Sequence, residues 1–200
     1  MNDLRTRALD LAFGHPRGLL GHVGGMVMAR SNARTELQVV RLARLAGTER
    51  VAVVGHGPGV GLRAAGEQAA HVVGIDPSER MRQDAAHRCA DLVDAGKVEL
   101  RDGTAEATGL PDTSFDVVLS VNNAQLWPDR SAALAELHRV LRPGGLLLLS
   151  THDRWLPGGR PGLTTDVRDA GFDEVQVWAW QPPGRIATLQ AQVRARRATV

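Results

Sequence analysis

The chain has 200 residues, of which 43% are hydrophobic and 23% charged, and its formal net charge is +2. This composition is typical of a single globular domain and excludes a disordered chain, while the scattered arginines argue against an extended basic surface for nucleic acid. The single cysteine, Cys89, excludes an internal disulfide, and no apolar run has the length of a membrane span or the pattern of a secretory signal. We therefore expect a cytoplasmic protein that binds neither a membrane nor nucleic acid.

The first 47 residues predict a helical preface. Apolar residues recur at helical spacing near the start, and a glycine-rich and proline-containing stretch then interrupts them. A further helix is expected from Ser31 or Asn32 to a stop at Gly47. We therefore treat residues 1–47 as one unit and residues 48–200 as a second.

In the second unit, apolar runs alternate with helical patterns, which predicts a parallel α/β sheet. Helices are expected from near Gly59, from Ser78 with Cys89 inside, and from Ser131 to the turn RPGG. The run LLLLS is apolar on both faces, as in a central strand, and the end of the chain alternates around the turn PPG, as in a hairpin. The predicted strands are residues 51–54, 72–75, 98–100, 115–120, 146–150, 174–180 and 186–193.

The segment VAVVGHGPGVG is a buried strand followed by glycines at every second position. Glycine lets a backbone approach a ligand closely, and about 21 residues after the first of these glycines a second strand ends at Asp76. In nucleoside-binding α/β folds, a carboxylate at this place reaches the ribose hydroxyls. The dinucleotide fingerprint would need a third glycine at Val60 or Leu62, so the spacing favours a nucleoside cofactor with a small tail over a nicotinamide dinucleotide.

Four motifs in order resemble the class I S-adenosyl-L-methionine (SAM)-dependent methyltransferases, in particular the bacterial small-molecule group related to quinone-biosynthesis C-methyltransferases. They are VAVVGHGPGVG, VVGIDPSERM, GTAEATGLPDTSFDVVLSVNNAQLWPD and ELHRVLRPGGLLLLS, within residues 48–193. The resemblance implies a Rossmann-like seven-stranded mixed sheet whose last strand is antiparallel, with residues 48–200 as the SAM-binding domain. It also implies methyl transfer to a small organic molecule, for which we consider secondary metabolism.

The same resemblance assigns the cofactor site to four segments. The glycine loop would lie against the methionine moiety of SAM. The end of the second strand would bind the ribose hydroxyls and flank the adenine, and the segment after the third strand would contact the edge of the adenine. The end of the fourth strand would line the floor near the sulfonium. The assigned residues are Gly55, His56, Gly57, Gly59, Asp76, Pro77, Ser78, Met81, Gly103, Thr104, Ala105, Ser120, Val121 and Asn122.

Two positions depart from the family pattern. Val53 stands where an acid usually helps to orient the ammonium end of SAM, and Thr104 stands where an aspartate commonly lies beside the adenine amino group. These departures leave open a methyltransferase fold that performs other chemistry, such as a cyclisation, and also a non-catalytic binding subunit.

A general base can be needed when the methyl acceptor is an oxygen or a carbon. The chain has no tyrosine and seven histidines, of which His15, His22 and His152 are the candidates for such a base because they lie in the preface or after strand 5. The cluster Asn122, Asn123, Gln125 and Trp127 faces either the acceptor or only its own loop and the core. No motif has metal-ligand spacing.

The segment after strand 5 is short and rich in glycine and proline, so it offers little to cover a substrate. We expect the helical preface to form most of the lid, which leaves the pocket open or completed by a second subunit in a homodimer.

Overall fold

The computed structural model describes residues 32–184 and 187–199. Within these residues, seven strands form one sheet in the order β3-β2-β1-β4-β5-β7-β6, and β7 runs antiparallel to both β5 and β6. The mixed sheet with an antiparallel last strand is thereby confirmed. The strands are β1 Arg50–Val54, β2 His71–Ile75, β3 Val98–Arg101, β4 Phe115–Val121, β5 Leu141–His152, β6 Phe172–Trp180 and β7 Gln190–Arg197.

Helices cover both faces of this sheet, which makes three layers. The helices are α1 over residues 32–43, α2 Val60–Gly66, α3 Glu79–Arg88, α4 Ala90–Asp94, α5 Arg130–Val140 and α6 Gly159–Asp169. Apolar residues of α1, α2 and α3 pack in one core cluster and those of α5 and α6 in the other. We call the sheet face under α1, α2 and α3 the first face.

The central strand β1 shows why the core has two sides. Ala52 and Val54 belong to the cluster with α5 and α6, whereas Val51 and Val53 belong to the cluster on the first face. Successive side chains of a strand point to opposite faces, so a strand covered on both sides is apolar throughout. The carboxyl ends of β1, β2 and β4 are thereby held in a rigid frame.

Several predicted boundaries shift for local reasons. Helix α5 is capped by Asp129, whose carboxylate accepts a hydrogen bond from the Ala132 amide at 2.9 Å, so it begins before Ser131. The long helix predicted from Ser78 is interrupted at the buried Cys89, which separates α3 from α4. Strand β5 begins at Leu141, and the turn RPGG lies within it as an irregularity in the pairing with β4.

The described part of the preface is the helix α1, which packs on the first face through Val39 and Val40. The helix ends at residue 43 rather than at Gly47, and Arg44 adopts a left-handed conformation there. Residues 1–31 lie outside the described residues, and so do the candidates His15 and His22 and most of the predicted lid. The division at residue 47 therefore stays a prediction.

No helix in residues 32–184 or 187–199 combines the length and the apolar character that a membrane span requires.

Candidate functional site

The glycine loop joins the end of β1 to α2. Gly55, Gly57 and Gly59 all have positive φ, between +53° and +85°. A Cβ at Gly55 would lie 2.0 Å from the side-chain nitrogen of Asn123, whereas a Cβ at Gly57 would meet no atom within 4 Å. The first glycine is thus required by a close protein contact, and the second borders open space.

Asp76 ties the glycine loop to the end of β2. Its Oδ2 accepts a hydrogen bond from the Gly57 amide at 2.9 Å, and its Oδ1 accepts one from the Ser78 amide at 2.9 Å. The Gly55 amide also donates to the Ile75 carbonyl at 2.8 Å. Each carboxylate oxygen has two lone pairs, so both oxygens of Asp76 can still accept a ribose hydroxyl. The structure brings the predicted ribose ligand to the glycine loop.

The predicted adenine-flanking residues open helix α3. The Ser78 hydroxyl accepts a hydrogen bond from the Met81 amide and caps the helix, while Pro77 is exposed and Met81 partly buried. Arg82, one residue further, was not predicted. It donates to the Asp76 carbonyl and to the Asp102 carboxylate, both at 2.7 Å, and so bridges the ends of β2 and β3.

The segment after β3 forms a compact turn. Thr104 Oγ1 accepts a hydrogen bond from the Ala107 amide at 3.2 Å, and the Thr104 amide donates to the Ala107 carbonyl. Gly103 packs against Ile75, and Ala105 is buried in the core. The Thr104 hydroxyl is therefore engaged in its own turn.

The end of β4 is fastened to β1 by Asn123. The Asn123 Nδ2 donates to the Val54 and Gly55 carbonyls at 2.8 and 3.1 Å, and its Oδ1 accepts from the Ser120 hydroxyl at 2.6 Å. Ser120 thus holds Asn123 in place. From the sequence, Asn123 was predicted only to face either the acceptor or its own loop, because a polar residue after a strand does not reveal which backbone it will bind.

Asn122 is the unpaired member of the segment after β4. It has a φ of +58°, which asparagine tolerates better than most residues, and neither side-chain amide atom has a hydrogen-bond partner although both are buried. Gln125 donates to the Asn122 carbonyl and accepts from the Thr151 hydroxyl, and Trp127 packs against the core. Of the three amide side chains in this cluster, that of Asn122 has no hydrogen-bond partner among the described residues, whereas Asn123 and Gln125 are both engaged.

His152 lies at the end of β5, beside β7. Its Nδ1 lies 2.6 Å from the Thr188 hydroxyl and accepts a hydrogen bond from the Gln190 side-chain amide at 2.9 Å. Burial, together with the charge of Arg154, lowers the pKa of His152 to about 4. Because the lone pair of Nδ1 is already used, a neutral imidazole here offers an N–H at Nε2. The arrangement favours a hydrogen-bond donor over a general base.

The low pKa of His152 predicts a pH-dependent stability. Between about pH 4 and 6.5 the unfolded chain binds a proton at this residue that the folded chain does not, so stability falls as the pH drops through this range. From pH 7 to pH 5 the loss through this residue should be about 2 kcal/mol. Urea unfolding at both pH values should show a loss that is larger by this amount in the wild type than in His152→Gln, because the other titratable groups contribute equally to both proteins.

The exposed histidine of α3 provides the control for this experiment. The variant His87→Gln should lose as much stability between the two pH values as the wild type. An equal loss in His152→Gln would contradict the prediction.

A small cavity of about 20 Å³ lies next to the glycine loop on the first face, between Val53, Gly55, Val121 and the α1 residue Glu36. Oε2 of Glu36 accepts a hydrogen bond of 2.6 Å from the Gly61 amide. Burial raises the pKa of Glu36 to about 7. Glu36 was not predicted as a site residue because it lies in the preface, 25 positions before Gly61.

His56 also borders this cavity. Its Nδ1 lies 2.7 Å from the Gly57 carbonyl and donates to it, so Nε2 carries the lone pair. That Nε2 is buried and has no partner among the described residues. Burial lowers the pKa of His56, which keeps the ring neutral at physiological pH. His56 therefore combines a place in the cavity wall with an unpaired hydrogen-bond acceptor.

These features fit a nucleoside cofactor with an amino-acid tail. Open space borders Gly57, the Asp76 carboxylate retains lone pairs, and buried polar atoms of His56 and Asn122 lack partners. In the described part of the chain, no group of three or more histidine, cysteine, aspartate or glutamate side chains is placed to hold a metal ion.

Comparisons with known proteins match the same segment. The family model described as a methyltransferase domain matches residues 52–149. The uncharacterized methyltransferase YdaC of Bacillus subtilis is 28% identical over 165 residues, which cover 78% of this chain and 88% of that protein. The chain spans less than half the length of several other curated relatives that it matches.

Two solved structures share the fold. A SAM-dependent methyltransferase of Thermotoga maritima, described as a possible histamine N-methyltransferase, superposes with a TM-score of 0.65 at 25% identity, over 91% of this chain and 97% of that one. The [4+2]-cyclase SpnF superposes with a TM-score of 0.70 at 20% identity, over 100% of this chain and 95% of that one.

The family model and the relatives coincide with the part of the chain that builds the glycine loop and the adjoining strand ends. The chain belongs to the class I SAM-dependent methyltransferases, and it is an enzyme whose cofactor is SAM.

Proposed function

We propose that this enzyme methylates a small organic molecule that carries polar groups, held on the first face beside the glycine loop. The observation that supports the proposal is a row of buried polar side chains at the end of β5 and the start of the neighbouring antiparallel strand β7. Ser150 Oγ, both amide atoms of Gln192 and Oε1 of Gln190 are buried without a partner in the described residues. Leaving such an atom unpaired costs about 1–3 kcal/mol, so a ligand that pairs with several of them would recover that cost.

Strand register places this row next to the glycine loop. On β5, Leu146 and Leu148 pack on the first face, so Ser150 points to the same side. Ser150 is opposite Gln192 in the antiparallel pair with β7, and it is the register partner of Val121 in the parallel pair with β4. Val121 lines the cavity that also contains Gly55. The row therefore continues the loop site across the sheet.

The residues of this row would bind and orient the acceptor. When bound, SAM supplies an activated methyl group together with its own leaving group. The protein's remaining task is alignment, which can contribute roughly 7–11 kcal/mol in favourable cases. Hydroxyl and amide side chains do not ionise near neutral pH, so Ser150 and Gln192 act by hydrogen bonding, and His152 on the same face adds a donor.

Calorimetric titration with SAM and S-adenosylhomocysteine, with NADH as control, tests the cofactor half of the proposal. We expect micromolar binding of both adenosyl ligands and none of NADH. An acceptor screen that follows S-adenosylhomocysteine release then tests the transfer. Absence of turnover with every polar small molecule, despite cofactor binding, would count against the proposed acceptor class.

Gln192→Met should be more stable than the wild type and should bind the acceptor less tightly. Methionine keeps the length of the side chain and removes two buried polar atoms that lack partners, so the free energy of unfolding should rise by about 1–3 kcal/mol. The KM for the acceptor should rise about tenfold or more, while S-adenosylhomocysteine affinity stays unchanged. Urea denaturation and steady-state kinetics measure the two effects.

The exposed Gln176 of β6 gives the matched variant, Gln176→Met, which should change neither quantity. A loss of stability in Gln192→Met would show that Gln192 has a structural partner and would remove the support for the acceptor row.

A second candidate function is a cyclisation carried out on the methyltransferase fold. Its support is the structural likeness to the [4+2]-cyclase SpnF over the whole chain, together with the departures at Val53 and Thr104. It predicts that a substrate is converted without release of S-adenosylhomocysteine. Simultaneous measurement of product and S-adenosylhomocysteine separates the two functions.

Other parts of the proposal derive from the sequence alone. They are an acceptor from secondary metabolism, a cytoplasmic location, the absence of nucleic-acid binding, and a homodimer that completes the pocket. Light scattering of the purified protein tests the dimer.

A further inference from the structure

The cavity beside the glycine loop contains one acidic group. Glu36 reaches it from α1, while Val39, Val40, Val53 and Leu119 line it with apolar side chains. His56 also lines the cavity, and its Nε2 is a hydrogen-bond acceptor without a partner among the described residues. A cavity with a carboxylate, an acceptor and apolar walls suits a small cationic donor and is unfavourable for an anion.

The size of the cavity narrows the choice of that donor. About 20 Å³ is room for one water-sized group, and an alkyl ammonium head is of this size. Gly55 forms part of the wall, so the cavity adjoins the loop that is expected to lie against the methionine end of the cofactor. Val53, where related enzymes carry an acid, lines the same cavity and is 6% exposed.

We propose that the Glu36 carboxylate binds the α-ammonium group of the cofactor's methionine moiety and thereby replaces the acid that is missing at Val53. The inference rests on the SAM binding assigned above and names a residue outside the motifs. It also means that a segment of the preface, α1, belongs to the cofactor site. A charge-assisted hydrogen bond in a mostly apolar cavity is stronger than one in water.

The charges around Glu36 agree with this role. Arg88 on α3 is the cation whose field acts on the carboxylate, the Gly61 amide of α2 donates to it, and His56 is held neutral by burial. Burial raises the pKa of Glu36 to about 7, so near neutral pH the group is partly protonated. An arriving ammonium group favours the ionised form, and binding near pH 7 should therefore release a fraction of a proton.

Glu36 could instead serve only to support the loop through the Gly61 amide. Glu36→Gln distinguishes these roles, because glutamine can still accept that hydrogen bond and lacks the charge. The probes are S-adenosylhomocysteine, which has the amino-acid tail, and 5′-methylthioadenosine, which has the same nucleoside and sulfur without it.

Calorimetry on the wild type and on Glu36→Gln gives the decisive comparison. We expect the affinity for S-adenosylhomocysteine to fall about 10- to 100-fold, while the affinity for 5′-methylthioadenosine stays within about twofold. An equal loss for both ligands would assign Glu36 to loop support and overturn the proposal, and so would no loss for either.

Proton release provides an independent readout. Titrations of S-adenosylhomocysteine at pH 7 in buffers of different ionisation enthalpy should show release in the wild type and none in Glu36→Gln. The control is Glu49→Gln, since Glu49 also accepts backbone hydrogen bonds, from residues 46–48, and does not line this cavity. Equal proton release in the wild type and Glu36→Gln would overturn the proposal. Failure of the wild type to bind either ligand would instead contradict the cofactor site itself.

Discussion

Asp76→Asn should weaken S-adenosylhomocysteine binding about 100-fold or more. The two oxygens of Asp76 accept the Gly57 and Ser78 amides, so an asparagine NH₂ must face one of two N–H donors. The substitution also removes the ionised acceptors for the ribose hydroxyls. Two charge-assisted hydrogen bonds of about 1.5–3 kcal/mol each are affected. Part of this free energy is lost from the ordered conformation of the glycine loop and part from ligand binding. Calorimetric titration of the variant measures the affinity.

The matched variant for this experiment is Asp84→Asn. Asp84 lies on α3 and pairs with Arg80 at the surface, so its loss should leave binding unchanged. A wild-type affinity in Asp76→Asn would show that the end of β2 does not hold the nucleoside, and the proposed site would have to be abandoned.

Gly55→Ala and Gly57→Ala should differ sharply in stability. Both glycines have positive φ, which costs an alanine about 1–2 kcal/mol. At Gly55 the new Cβ would also lie 2.0 Å from Asn123 Nδ2, and this would break the hydrogen bonds that join β4 to β1. We expect Gly55→Ala to lose about 3–5 kcal/mol of unfolding free energy and Gly57→Ala about 1 kcal/mol. Urea denaturation of both variants tests this.

The same pair separates folding from binding. Gly57→Ala should stay folded, yet its methyl group would enter the space assigned to the cofactor, so S-adenosylhomocysteine affinity should fall about tenfold or more. Unchanged affinity would show that no ligand approaches Gly57. Equal stability of the two variants would contradict the role described for Asn123.

The sheet could be predicted because its strands are apolar runs separated by helices, and β1 and β4 are recognisable from their sequence alone. The start of β5 at Leu141 could not, because it depends on pairing with Phe115 across the bulge formed by RPGG. Asp129 precedes α5 by one residue and Ser131 lies inside it; both are good capping residues, and only the folded geometry selects between them.

The candidate site also contains residues that could be predicted from the sequence and residues that could not. Asp76 is evident because the acid follows directly on a predicted strand, within the spacing that a nucleoside fold requires. Glu36 was not identified, and Asn123 was identified without its role, since each acts on a backbone distant in sequence, Gly61 and Val54 respectively. Such contacts are fixed by how helix α1 and the loop after β4 pack, and no local pattern encodes them.

The position of β7 has a consequence for how the chain is made. Residues 190–197 follow β6 in synthesis but lie between β5 and β6, where Ala191, Val193 and Ala195 are almost fully buried. A nascent chain that has not yet released these residues from the ribosome carries two strands with unpaired edges and no neighbour to join them. Unpaired edges promote association between chains. Completion of this enzyme's sheet therefore waits for β7, and until that strand is available the growing chain keeps edges that are open to association with other chains.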